Sequence, residues 1–242
     1  MPINTQTLEK LANFDTPTIC NVIELFDVLP RNRGYMDARI RSAFPELKPM
    51  VGFAATASFR SDAPPVGSDV YNSLDKQIEN FADLPGPPVV VFQDLDDAPV
   101  AATFGEIMCS VYKAFGSTGL ITSGAGRDLL QVRALDYPVF TGGTICSHGY
   151  CHILHVGAPV RVGGLVVQQA DLLHGDANGV TRIPLEIADQ IGDAAAEFVA
   201  AEKIILDYLN ESATVTISGL SAVRKEFAEV VAKLTARVRI TR

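Results

Sequence analysis

The feature that most constrains this chain is an alternation running from Val89 to Thr141. A short apolar run, a glycine- or proline-bearing turn and a segment of helical period follow one another repeatedly. The runs Val89–Phe92, Leu120–Thr122 and Val139–Thr141 have no polar alternation, so both of their faces must be covered. Val89–Gln93 leads through Asp94–Pro99 to a helix over about Gly105–Phe115, and Ser123–Gly126 turns into a helix over about Asp128–Leu135. Buried strands that alternate with helices indicate an α/β core with partly parallel pairing.

The flanks read differently. Thr5 caps a helix from Gln6 to Asn13. Asp15 or Thr16, with Pro17, opens another from Thr18 to Phe26, which buries Ile19, Val22, Ile23 and Phe26. A strand is expected over about Val51–Arg60, a proline-containing turn over Asp62–Gly67 and a helix over Asp69–Phe81. Glycine-punctuated β-runs at Gly157–Val167 and Gly175–Pro184 predict a β-rich layer beside the α/β part. A long amphipathic helix follows over Leu185–Leu209 and a last one over about Ser221–Leu234. With no linker and no repeat, the expectation is a single domain over 1–242, with its core at about 16–184 and a helical extension at 185–242.

Composition narrows the function. Twenty Lys and Arg face 28 Asp and Glu, a net charge of −8 that repels phosphate backbones and argues against a nucleic-acid partner. Tryptophan is absent and aromatics are 7%, which disfavours a base-stacking platform. The first residues lack the basic cap and apolar run of a secretory signal, and no apolar stretch is long enough for a bilayer. Cys20, Cys109, Cys146 and Cys151 are too few for a disulfide framework, which leaves reduced thiols in a cytoplasmic protein.

Familiar nucleotide and hydrolase motifs fail. No G-x-x-x-x-G-K-[ST] loop occurs. Gly124-Ala125-Gly126 follows a strand, but the third glycine of a dinucleotide fingerprint falls at Leu129. No G-x-S-x-G elbow is present. His148, His152 and His155, interleaved with Cys146 and Cys151, would ligate zinc from a helix. The run from Ile153 to Val156 favours an extended chain instead, with hydrogen-bonded structural histidines.

Chemistry concentrates in Phe104–Asp128. Gly105-Glu106 and Arg127-Asp128 mark two turn-to-helix junctions 22 positions apart. A helix start leaves backbone N–H groups unpaired at the positive end of its dipole, so the amides of Gly105, Glu106, Ile107 and Met108 suit a carboxylate. Arg127 offers a planar fork for the same anion, and Asp128 a hard oxygen for Mg2+. Together these make a site for a metal-chelated 2-oxo acid, in which the cation acts as a Lewis acid on the keto oxygen. The same residues also make a plain helix cap with a surface ion pair.

The ordered set is larger than one corner. It comprises GE, then GRD, a proline-led strand at Tyr137-Pro138-Val139-Phe140, PVRVGGLVV at Pro159–Val167 and D-x-x-GV-x-x-IP at Asp176–Pro184. This order resembles the RraA-like family, over roughly Thr16 to Pro184. That family includes 4-hydroxy-4-methyl-2-oxoglutarate aldolases, related oxaloacetate decarboxylases and regulators of ribonuclease activity. The resemblance implies a β/β/α swivelling-domain fold, assembled as a homotrimer or homohexamer with sites between subunits. It implies a lyase that passes through a pyruvate enolate, with Mg2+ or Mn2+ held by Asp128 and substrate held by Arg127 and the Gly105–Met108 backbone. Glu106 fills a place often acidic in the family, suited to a metal-bound water. The alternative it implies is a non-enzymatic regulator that binds a ribonuclease or helicase partner. One departure stands out: Gln169-Ala170-Asp171 replaces the usual proline-glycine-aspartate and puts the geometry of that loop in question.

Overall fold

The computed structural model describes residues 3–64 and 72–240. The turn expected at 62–67 and the start of the helix expected from Asp69 therefore fall partly outside the described residues.

The chain opens with helices α1 (Thr5–Leu11) and α2 (Thr16–Phe26). Asn4, not Thr5, caps α1, its Oδ1 accepting from the Thr7 amide at 2.8 Å; Asp15 caps α2 in the same way through Thr18. Strands β1 (Arg41–Ser42) and β2 (Met50–Arg60) follow, then α3 (Asn72–Glu79), which tightens into a 3-10 turn over Asn80–Asp83. The central alternation is β3 (Pro88–Asp94), β4 (Ala102–Phe104), α4 (Glu106–Ala114), β5 (Gly119–Thr122), β6 (Ala125–Gly126), α5 (Leu129–Ala134), β7 (Val139–Thr141) and β8 (Gly143–Thr144). The last part holds β9 (His152–Leu154), β10 (Val160–Val162), β11 (Leu165–Val167), β12 (Leu172–Asp176), β13 (Gly179–Ile183), α6 (Ala188–Glu211) and α7 (Ile217–Ile240). No helix among the described residues is long and apolar enough to cross a membrane.

The main sheet runs β1-β7-β5-β3-β2-β12-β13, with parallel pairing from β7 through β5 and β3 to β2 and antiparallel pairing elsewhere. Ten of the eleven β2 residues are buried, because both faces are covered. Its odd-numbered residues Ala55, Ala57 and Phe59 pack with Val90, Phe92, Leu120 and Tyr112 under the α3–α5 layer. Its even-numbered residues Met50 and Ala54 join Val89, Val91 and Phe140 beneath the β10–β11 hairpin, which contributes Val160, Val162, Leu165 and Val167. Hairpin, sheet and helices form three layers, the β/β/α arrangement expected. The terminal helices extend the helical layer, with Leu11, Ile19, Phe26, Ile191, Phe198 and Leu234 sharing one core with Val51, Phe53 and Leu172.

The free edge of β2 is shared. Its first half pairs with β12, and its end, Ser58–Arg60, pairs with β9. Between them Ala170 donates its N–H to the Ala54 carbonyl, and the Gln169 side chain accepts from the Thr56 amide at 3.0 Å. Gln169 thus replaces a missing ladder rung. Ala170 keeps the left-handed conformation (φ +65°) that a glycine would adopt freely, so the turn survives its departure from the family pattern.

Three differences from the sequence expectation matter for the site. Main strands β3, β5 and β7 each break and resume as β4, β6 and β8, which pair in parallel as a second small sheet that the expectation lacked. The glycine punctuation at Gly124 and Gly142 marks two of those breaks, but strands of two residues leave no periodicity to read. The β-run expected over Gly175–Pro184 is the second half of the β12–β13 hairpin, which joins the main sheet instead of a separate layer. The last helix is also longer than expected, because its outer face is too polar to mark the ends.

Candidate active site

Pairing of β4 with β6 sets Phe104 opposite Gly126 and brings the two helix junctions together. A Cβ on Gly126 would fall inside the Phe104 ring, so only glycine lets these strands close. Past the pair, the Arg127 amide donates to the Phe104 carbonyl at 3.1 Å. A Cβ on Gly105 would lie 2.6 Å from Asp128 Oδ2 and 3.1 Å from Arg127 Nε, so the second junction also depends on a bare backbone.

Gly105 is the N-cap residue of α4 and has no side chain to satisfy the first amides. Asp128 supplies one partner: its Oδ2 accepts from the Glu106 amide at 3.1 Å and sits 3.6 Å from Arg127 Nε. To do so, Asp128 takes a left-handed backbone (φ +56°, ψ +37°), uncommon for a residue with a Cβ and typical of constrained sites. The carboxylate cradle is therefore narrower than four amides. The Glu106 amide is spent on Asp128, and those of Ile107 and Met108 have no acceptor among the described residues.

Gly105, Ile107, Met108 and Arg127 line a cavity of about 320 Å³. Its other wall is His148, Gly149, Tyr150 and Cys151, a segment the sequence offered only as structural histidines or zinc ligands. Glu106 and Asp128 are not in the lining. Asp128 stands behind Arg127 with a side chain about one-third exposed, and Glu106 is exposed. Burial pushes the Cys151 thiol up to about 11 despite the opposing pull of Arg127, so it is no nucleophile at neutral pH. A larger, more open hollow of about 980 Å³ lies by Arg39, Arg41 and Gly143. There Arg39 is already held by Asp37 at 2.7 Å and Arg41 Nε by the Ala38 carbonyl, so neither guanidinium is as available as that of Arg127.

Among the described residues, no group of three or more His, Cys, Asp or Glu side chains is arranged to hold a metal ion. His148 Nδ1 lies 2.8 Å from the Gly149 carbonyl and His155 Nδ1 2.8 Å from Ser58 Oγ, while buried His152 Nε2 has no partner. At the corner, Asp128 Oδ1 accepts no hydrogen bond from the described residues. One carboxylate oxygen beside an open cavity fits a hard cation that keeps most of its waters, and does not fit a closed four-ligand site.

The RraA-like family profile, described as Aldolase/RraA, matches residues 16–182. A Halalkalibacterium halodurans protein provisionally named 4-hydroxy-4-methyl-2-oxoglutarate aldolase is 34% identical over 101 residues, covering 41% of this chain and 47% of that protein. The chain spans about half the length of the first curated relatives it matches. An uncharacterised protein from Pseudomonas syringae pv. tomato superposes with a TM-score of 0.70 at 21% identity, covering 93% of this chain and 99% of that one. RraAS2 of Streptomyces coelicolor, described as an unusual member of the RNase ES inhibitor RraA family, does so with a TM-score of 0.66 at 20% identity, covering 84% and 96%. These structural likenesses speak to the fold alone. The profile match runs from the first turn of α2 into β13 and takes in every strand of the main sheet; on that ground the chain belongs to the RraA-like family.

Proposed function

We propose that this chain is a carbon–carbon lyase that depends on a divalent metal and cleaves or decarboxylates a 2-oxo acid to release pyruvate. The observation that carries this reading is the convergence of the Arg127 guanidinium with the unspent Ile107 and Met108 amides on one cavity. Arg127 takes the substrate carboxylate through its fork, and the α4 amides take it at the positive end of a helix dipole. That grip orients the bond between C3 and the departing carbon and holds the 2-keto oxygen toward the Asp128 side of the corner.

Asp128 would hold Mg2+ or Mn2+ through Oδ1, with Oδ2 anchored on the Glu106 amide. Bound there, the cation polarises the 2-keto oxygen and stabilises negative charge developing on it. Glu106, exposed at the margin, is placed to relay protons through water. The homologue's name and the family it shares with this chain support the aldolase reading. Ile107 and Leu130 flank the corner at 73% and 85% exposure, which fits assembly of a homotrimer or homohexamer around the site. The core shared by α1, α2, α6, α7 and β2 supports one RraA-like unit over 1–242. The four free thiols suit a cytoplasmic setting.

The test is pyruvate release from a panel of 2-oxo acids that includes oxaloacetate and 4-hydroxy-4-methyl-2-oxoglutarate. Turnover is expected with Mg2+ or Mn2+, abolished by EDTA and by Asp128→Ala. Borohydride with pyruvate is expected to trap no covalent adduct. A regulator of ribonuclease or helicase partners would turn over none of the panel under any metal.

A further inference from the structure

The wall facing Arg127 bears on which 2-oxo acid enters. Arg127 is the one permanently charged side chain among the residues that line the cavity, and the first carboxylate uses it. Beyond it the surface is Ile107, Met108, Tyr150 and the ring of His148. Ile107 and Tyr150 stand 73% and 51% exposed, covered by nothing in their own chain. A second carboxylate placed there would lose water and gain no cation, an unfavourable exchange.

His148 sharpens the point. Its Nδ1 lies 2.8 Å from the Gly149 carbonyl, which can only accept, so Nδ1 carries the proton. The neutral ring then keeps Nε2 as a lone-pair acceptor. An acceptor repels a carboxylate and welcomes a hydroxyl. The segment is also held in place: the Tyr150 amide donates to the Ser61 carbonyl at 3.2 Å, and the Ala102 amide to the Ser147 carbonyl at 2.7 Å. Gly149 (φ +52°) lies so close to Ser61 that a Cβ would come 2.8 Å from its carbonyl oxygen. The wall is therefore preformed, not waiting on a ligand.

Building on the lyase reading above, we infer that the cavity selects a 4-hydroxy-2-oxo monocarboxylic acid with an apolar or aromatic group on C4, in preference to a dicarboxylic acid. Tyr150, Ile107 and Met108 receive that group, and His148 Nε2 accepts the C4 hydroxyl. On cleavage the hydroxyl proton passes to Nε2, a C4 carbonyl forms and the C3–C4 bond breaks. Its electron pair goes to C3, which takes up a proton. The products are pyruvate and an apolar or aromatic aldehyde, with no other reactant consumed.

Binding and turnover are measured separately on the full chain with Mg2+ present. Calorimetric titration compares 2-oxo-4-phenylbutanoate with 2-oxoglutarate, neither of which can be cleaved by this route. The phenyl compound is expected to bind roughly tenfold tighter or better, and Tyr150→Arg is expected to invert that order by adding the missing cation. Equal or tighter binding of 2-oxoglutarate by the native protein overturns the inference, as does an order that Tyr150→Arg leaves unchanged. Pyruvate release from 4-hydroxy-2-oxo-4-phenylbutanoate tests the lyase reading on the same samples. Preferential binding without release would refute the lyase and leave the monoacid selectivity standing. Release with a preference for the diacid would do the reverse.

Discussion

The wall that carries Arg127 is held by backbone packing so tight that Gly105 and Gly126 admit no side chain, whereas the wall that carries His148 and Tyr150 is docked through a few hydrogen bonds. The first is a crossing of two strands and two helix starts, with the Asp128 backbone held left-handed. The second is a run of turns between β8 and β9, with Gly149 and Cys151 at positive φ and buried Ser61 Oγ and His152 Nε2 left without partners around it. One wall is built so that nothing about it can vary; the other can change its side chains while keeping its path. The chemistry common to many substrates belongs on the first wall, and the choice among them on the second.

The difference can be pressed hardest at Arg127. Arg127→Ala is expected to lower kcat/KM for pyruvate release about 10²- to 10³-fold, with a melting temperature close to native because the side chain is one-third exposed. A large loss of stability in that variant would show that the arginine holds the corner together and is no substrate anchor. Next comes the packing itself. Gly126→Ala drives a methyl into the Phe104 ring and is expected to cost about 1–3 kcal/mol, read as a fall in Tm of about 2–4 °C per kcal/mol for a chain of this size. Gly143→Ala, where no atom lies within 4 Å of the added carbon, is the matched control and should be nearly silent.

On the other wall, Tyr150→Ala is expected to change the ratio of kcat/KM between aromatic and small 2-oxo acids roughly tenfold. Its stability should stay within about 0.5 kcal/mol of native. If Tyr150→Ala melts the protein as Gly126→Ala does, the two walls do not differ in the way described.

Asp94 lies between them. Its amide donates to Ser123 Oγ, just before β6, and its Oδ1 accepts from Asp96, which in turn holds the Ser61 amide beneath Tyr150. Burial, reinforced by the nearby Asp96 and Asp62 charges, raises its carboxyl to about 6. A raised carboxyl favours the folded state below its unfolded value of 3.8, and that contribution is lost as pH climbs through about 6. Asp94→Asn keeps the shape and removes the charge. It should raise Tm relative to native above pH 6 and lose the advantage near pH 4, as thermal melts across that range would show. The smallest effect is remote from both walls: Ala170→Gly relieves a left-handed alanine at an entropic cost, for a net gain of about 0.5 kcal/mol.

The same contrast explains what was legible in the chain. Gly105, Glu106, Arg127 and Asp128 could be picked out because a corner built on steric exclusion leaves fixed residue types at fixed spacing. The buried strands announced themselves as unbroken apolar runs, and α2 through its capping aspartate and apolar stripe. The small sheet escaped notice because β6 and β8 have two residues each, and a period of two needs more than one repeat. That the Glu106 amide is consumed by Asp128 is a matter of distance across 22 residues, which spacing alone does not give. The segment from His148 to Cys151 was read for what its side chains bind as a group. Its contribution comes from where two turns carry them, and turns at positive φ formed by residues such as Cys151 leave little mark in sequence.

The substitution of a side chain for a strand at the edge of β2 has its own consequence. The Thr56 amide is shielded by the carboxamide of Gln169, while its neighbours along the strand are shielded by main chain. That single proton therefore sits at a seam between the stretch zipped to β12 and the stretch zipped to β9. Its rate of exchange with deuterated solvent, set beside those of Phe53 and Phe59, would report whether the two ends of the long strand open as one cooperative unit or part company at the glutamine.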